Sequence, residues 1–226
     1  MSLEHYSKFR REGLRVYSAA LQNHTDPYLP VLEDKVPGLS QLSRLSLGVQ
    51  SIPIERVVGS VSQGRSYAFA SNFMPLLESG SEFAAKWDHL YESVIAQGVN
   101  QPITCLEYLG EYYVIEGNKR VSVMKAMDAR DIDADVTRVY PAPSDDPRHK
   151  AYEEYCTFTK ESGIYTILFT KPGSYEKLLS LPGIRAGETW QQEEVIALRK
   201  VYAYFRIAYN DMMKDKAVMQ IGRAHV

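Results

Sequence analysis

Cysteine is nearly missing from this chain of 226 residues: only Cys105 and Cys156 occur, and neither lies in a Cys-x-x-Cys or other ligand spacing. That excludes a small scaffold built on disulfides and leaves two isolated thiols of the kind buried in proteins of reducing compartments. The five histidines, His5, His24, His89, His149 and His225, are scattered, so no metal site can be argued from them. No apolar run reaches the roughly eighteen residues that a membrane-spanning helix needs, and the first residues are polar and charged, unlike a secretory leader. The expectation is a cytoplasmic protein that does not cross a membrane. Charge of one sign is also lacking: the formal net charge is −2 and the isoelectric point about 6.2, which excludes a protein that coats nucleic acid by bulk charge. A local basic patch is compatible with that balance. Residues 1–3 and 221–226 differ in character from the chain they flank, read as remnants or a point of truncation, and are left out of the fold reading.

What is present is an ordinary globular composition, 45% hydrophobic and 24% charged, so a packed core is expected. The length suits one substantial domain, or one of about 100–150 residues with a helical appendage. Sixteen tyrosines against seven phenylalanines favour core edges and interfaces, where a ring is buried and its hydroxyl stays wet, and are equally the composition of a self-association surface.

The stretch that organises the chain is 111–127. Tyr112, Tyr113, Val114 and Ile115 suit a strand, Gly117 supplies the turn out of it, and Asn118 reads as the N-cap of a helix over 118–128. Unpaired N–H groups of the first turn, the positive end of the helix dipole, Lys119 and Arg120 would then converge on one point, which predicts an anion site and most simply a phosphate. Apolar residues at Val121, Val123, Met124, Ala126 and Met127 cover too broad a surface for an exposed helix, so its start is held against a core.

Along the rest of the chain, 4–22 reads as an amphipathic helix with Tyr6, Phe9, Val16, Tyr17 and Ala20 inward and a basic outer face of Lys8, Arg10, Arg11 and Arg15. Residues 26–38 hold three prolines and read as a surface loop. Residues 46–58 read as extended chain, with Pro53 requiring an edge or a bulge. The Gly- and Ser-rich segment 59–72 has the composition of a ligand-facing loop, and Arg65 is its one arginine. Ser81 caps a helix to Gln97 with Phe83, Trp87, Leu90, Tyr91 and Val94 as a core stripe, and Gly98 ends it. Residues 102–108 and 111–115 form a hairpin through Leu109-Gly110, and 135–140 alternates as a strand. Asp145 and Asp146 near His149 stand between prolines, the pattern of a linker and a helix start. Beyond lie a helix over 148–161, an apolar strand over Ile164–Phe169, a short helix near Tyr175–Ser180, and a capping box from Thr189 to Gln192 heading a long helix. The stripe Val195, Leu198, Tyr202, Phe205, Tyr209 and Met212 on that helix suits packing on the domain or a homodimer contact through 190–213.

Helix 81–97, Gly98, Gln101-Pro-Ile, the hairpin, Glu116-Gly-Asn-Lys-Arg-Val-Ser-Val and the closing strand together resemble, over about 50–142, the ParB N-terminal domain, which shares its fold with sulfiredoxin. The resemblance implies an α+β fold with a small mixed sheet and flanking helices at 46–142; the patterns on either side add an N-terminal helix and loop at 1–45 packing on it and a mostly helical extension at 143–226. It implies Gly117, Asn118, Lys119 and Arg120, with Arg65 from a looser match, as contacts to a nucleotide or other phosphate-bearing ligand, and association with DNA. Three departures limit what is carried over. Asn118 and Lys119-Arg120 stand where CTP-hydrolysing partitioning proteins have an acidic residue and an arginine pair, and no cysteine lies in the turn as in sulfiredoxins. No helix-turn-helix pattern follows. A binding module is therefore the expectation. The alternatives are a ParB-like nuclease or nucleotide hydrolase with Glu116 as the candidate base, and a non-catalytic interaction module of a longer protein; no metal and no cofactor other than a nucleotide is expected.

Overall fold

The computed structural model describes residues 3–98, 101–180 and 190–223. It divides into two compact units, Met1–Pro143 and Ser144–Val226.

The first unit opens with helix α1 over Glu4–Gln22, followed by a single-turn helix α2 over Leu32–Lys35. The prolines of 26–38 thus leave room for one helical turn that a plain loop reading omits. Strands β1 (Arg44–Pro53) and β2 (Val57–Ser60) are separated by a 3-10 turn at Ile54–Arg56 that begins directly after Pro53. Helix α3 covers Glu82–Gln97, strands β3 and β4 cover Ile103–Tyr108 and Glu111–Glu116, helix α4 covers Asn118–Ala126, and strand β5 covers Asp131–Val139. The sheet order is β1-β5-β3-β4-β2, with antiparallel pairs β1–β5 and β3–β4 and parallel pairs β5–β3 and β4–β2. The chain is α+β with a small mixed sheet flanked by helices.

Pro53 closes an edge strand, where its missing N–H removes no ladder bond that matters. Strand β5 is longer than the alternation from 135 suggests. Asp131, Asp133 and Asp135 disguise it, yet they face outward while Ile132, Ala134 and Val136 enter the core. Two positive-φ residues, Leu109 and Gly110, make the tight turn between β3 and β4.

One face of the sheet packs Ile52, Ile103, Cys105, Val114 and Ala134 against Val121 of α4 and the ring of Phe69. Behind α4 lies an aromatic layer in which Tyr6 and Phe9 of α1 meet Trp87 of α3 at 5.7 and 5.8 Å between ring centroids. The indole Nε1 donates to Ser122 Oγ at 2.8 Å and so ties α3 to α4. Asp88 accepts from the Tyr6 backbone N–H at 2.9 Å, satisfying a first-turn donor of α1 that no side chain of its own caps. On the opposite face Leu32 and Leu39 cover Leu106, Tyr113 and Val139.

The second unit contains α5 (Pro147–Ser162), α6 (Ser174–Leu179) and α7 (Gln192–Arg223). Asp146 caps α5 by accepting from the Arg148 N–H at 2.7 Å, in keeping with a linker that starts a helix. The apolar run Ile164–Phe169 is not a strand. Its Ile164 and Ile167 are buried, and side chains meet its backbone: the Tyr175 hydroxyl donates to the Ile167 carbonyl at 2.9 Å and accepts from the Phe169 N–H at 3.1 Å, the Tyr155 hydroxyl donates to the Tyr165 carbonyl at 3.0 Å, and Ser162 Oγ accepts from the Ile164 N–H at 3.1 Å. Thr189, the first residue of the expected capping box, lies outside the described residues; Gln191 instead gives its N–H to Glu194 at 2.9 Å. On α7, Leu198 is buried, whereas Phe205, Tyr209 and Met212 of the same expected stripe are exposed.

Candidate functional site

Strands β2 and β4 run parallel and side by side, so the segments leaving their C-terminal ends emerge together. After β2 comes a 3-10 turn at Gln63–Ala68 that carries Arg65; after β4 comes Gly117 and the start of α4. This topology brings Arg65 and the Gly117–Arg120 turn, more than fifty residues apart in sequence, to one cleft of about 950 Å³. Ligand crevices of open sheets commonly form at the carboxyl ends of parallel strands for this reason.

Gly117 has φ +111°, and a Cβ there would approach Ile103 Cγ2 to 2.7 Å. The position therefore demands glycine twice over, for its backbone angle and for the close passage of β3. Gly117, and not Asn118, occupies the N-cap of α4, and no side chain caps the helix. The strand is left in a single residue, which draws Asn118 into the first turn. Helix α4 ends at Ala126, two residues short of the expected boundary. Asn118 is nine-tenths buried and lines the cleft, and its Oδ1 is closed to bulk water and hydrogen-bonded to nothing.

Lys119 and Arg120 do different things. The Lys119 ammonium lies 4.5 Å from the centroid of the Phe83 ring, a cation–π contact, and its pKa is lowered first by burial and then by the charges of Lys86 and Arg65, with Glu82 opposing. Three cations thus feel one another in the same cleft. Arg120 is committed to the fold on one side: its Nη1 donates to the carbonyls of Gln101 and Pro102 at 2.9 and 2.5 Å, and its Nη2 lies 3.5 Å from Glu116. It clamps the entry to β3 against the start of α4 while still lining the cleft.

Sequence reasoning did not assign Lys86, Glu82 or Tyr67 to the site. Lys86 sits one turn after Glu82 on α3 and pairs with it at 2.5 Å, the pattern of a solvated helix face, and only the packing of α3 beside α4 turns it toward the turn. Tyr67, Leu77, Phe83 and Leu90 add an apolar component to the cleft wall. Tyr67 is largely exposed and rests edge-on against Tyr28 at 4.9 Å. Glu116 is an exposed carboxylate on the rim, paired with Arg120.

Cys105 is fully buried on β3, its thiol pushed up to about 12 by burial and by the nearby Glu107 and Asp135, so it is no nucleophile. The basic face of α1 is partly spent on the fold, since Arg10 donates to the carbonyls of Leu76 and Leu77 at 3.1 and 2.7 Å. Among the described residues no helix is long and apolar enough to cross a membrane.

No family model matches the chain, and no curated protein matches it. Among solved structures it is similar to sulfiredoxin from Arabidopsis thaliana, with 18% identity over 39% of this chain and 82% of that chain and a TM-score of 0.28, a likeness too loose to bear on the site.

Proposed function

We propose that the first unit is a binding module for a phosphate-bearing ligand, a nucleotide foremost, seated at the start of α4. The observation that carries this reading is the gathering of Arg65, Lys86 and Lys119 beside a helix N-terminus that no side chain caps. Burial first and then the neighbouring charges of Lys86 and Arg65 lower the Lys119 pKa; Glu82 opposes this but is paired with Lys86 at 2.5 Å, and a phosphate would add the counter-charge that Lys119 and Arg65 can use. The apolar wall of Tyr67, Leu77 and Phe83 gives a nucleoside or similar ring a surface to lie on.

Calorimetric titration with inorganic phosphate and a nucleotide panel tests this. Lys119→Ala and Arg65→Ala should each weaken binding by about tenfold, as expected for loss of one charge-assisted contact. Absence of binding by every panel member to folded protein defeats the reading.

The exposed side of α7 supports a second reading, self-association of two chains. Val201, Tyr204, Phe205 and Met212 are all exposed along about three turns, an apolar surface uncommon on a helix that meets only water. Sedimentation should show a dimer that Phe205→Lys dissociates; a monomer at high concentration refutes it.

A further inference from the structure

We propose that the ligand held at the start of α4 carries a hydroxyl beside its phosphate, and that Asn118 selects for it; this rests on the phosphate-binding reading above. Around the turn the polar groups are donors: the first N–H groups of α4 and the side chains of Arg65, Lys86, Lys119 and Arg120 can give hydrogen bonds and accept none. The two carboxylates in the cleft wall, Glu82 and Glu116, are engaged by Lys86 and Arg120. The Gln101 side chain offers a further acceptor, but it is exposed to water; Asn118 Oδ1 differs in being an acceptor in a nine-tenths buried side chain with no partner and no bulk water.

A phosphate dianion offers only acceptors. It satisfies the donors and leaves this oxygen orphaned, at a penalty that buried polar groups seldom bear. A hydroxyl on the same ligand removes the penalty. The terminal torsion of an asparagine is broad, so the carboxamide can turn to meet a hydroxyl from the cleft without leaving its packed position. The shared chemistry is therefore a phosphate ester of a polyol, whether a ribonucleotide or a sugar phosphate. Continuous DNA, whose sugar carries no free hydroxyl, lacks it.

The test uses ligand pairs that differ only in hydroxyl groups: AMP against its dideoxy analogue, and glycerol phosphate against propyl phosphate, titrated into the full chain by calorimetry or NMR. The hydroxyl-bearing member of at least one pair should bind about tenfold tighter, the effect of supplying a donor to a buried acceptor. An advantage confined to the AMP pair identifies a nucleotide, and one confined to the glycerol pair a sugar phosphate. Asn118→Leu, similar in volume and without the acceptor, should equalise each pair by weakening only its hydroxyl-bearing member. Equal binding within both pairs by the wild-type chain overturns the proposal while leaving phosphate binding intact, and needs no variant to fold. An advantage that survives in folded Asn118→Leu also overturns it. If none of the four compounds binds, the phosphate reading itself fails and this inference falls with it.

Discussion

At the scale of single residues, buried ionisable groups set how the first unit responds to pH. Tyr6 is fully buried, with its hydroxyl donating to the Leu77 carbonyl at 2.7 Å, and burial raises its pKa to about 12. In the unfolded chain a tyrosine ionises near 10, so the unfolded state releases this proton first. The stability owed to Tyr6 is therefore whole below about pH 10 and is lost as pH rises toward about 12. Cys105 acts in the same direction. The Tm should fall steeply above about pH 10, and Tyr6→Phe should flatten part of that fall. For the same reason Cys105 should resist alkylation by iodoacetamide at pH 8 in the folded chain and react on unfolding, while half-buried Cys156 reacts sooner; equal rates for the two would contradict the burial described. Lys119 has the opposite sign. Its lowered pKa means that the positive charge a phosphate needs is lost at a pH below the ordinary lysine range, so affinity should decline with rising pH before free lysine titrates. Lys119→Arg should remove that decline, because guanidinium stays protonated.

At the scale of elements, Gly117 decides whether β4 can hand the chain to α4. Gly117→Ala would place a Cβ 2.7 Å from Ile103 and hold a left-handed angle at φ +111°, so a loss of about 2–4 kcal/mol in denaturant unfolding is expected. A loss below about 1 kcal/mol would mean that the turn relaxes freely. Strands β3 and β5 are joined by a buried pair, in which Arg138 Nε donates to Glu107 Oε2 at 2.6 Å and Glu107 also accepts from the Gly110 N–H at 2.8 Å. Arg138→Met removes the counter-charge of the buried Glu107 and should cost about 3–5 kcal/mol, more than neutralising both members together in Glu107→Gln with Arg138→Met.

These two features differ in how far the sequence discloses them. A glycine between a β-branched run and an apolar helical period announces the turn, as Ser81 and Gly98 announce the ends of α3, because capping chemistry is local. Glu107 with Arg138 is a contact across 31 residues that nothing local encodes. The same holds at the site. Gly117, Lys119 and Arg120 are legible as a cationic helix start, but the clamp from Arg120 to Gln101 and Pro102, the burial of Asn118 and the approach of Lys86 arise from how α3 and β3 pack on α4. The apolar run at 164–169 misleads for a related reason: hydrophobicity shows that a segment is buried, and here the hydroxyls of Tyr155, Ser162 and Tyr175, not a neighbouring strand, meet its backbone.

At the scale of the whole molecule, each unit has its own interior. Trp87, Tyr6 and Phe9 with the sheet residues form the first, and Phe158, Tyr155 and Tyr175 sit in the second, where the rings of Phe158 and Tyr175 lie tilted to each other at 5.0 Å between centroids. The boundary falls at an exposed stretch between Pro141 and Pro147 that carries no secondary structure. A core that closes on itself does not need its neighbour to fold, and all the residues assigned to the phosphate cleft lie in the first unit. Residues 1–143 produced alone should therefore keep the near-ultraviolet signature of their packed tryptophan and bind phosphate ligands within a few-fold of the full chain, while any self-association through α7 disappears. If the fragment folds but binds far more weakly, the second unit contributes to the site, and the assignment of the whole cleft to the first unit is wrong. If it fails to fold, the two interiors are not independent, and the Tm of the full chain should then follow a single transition instead of two.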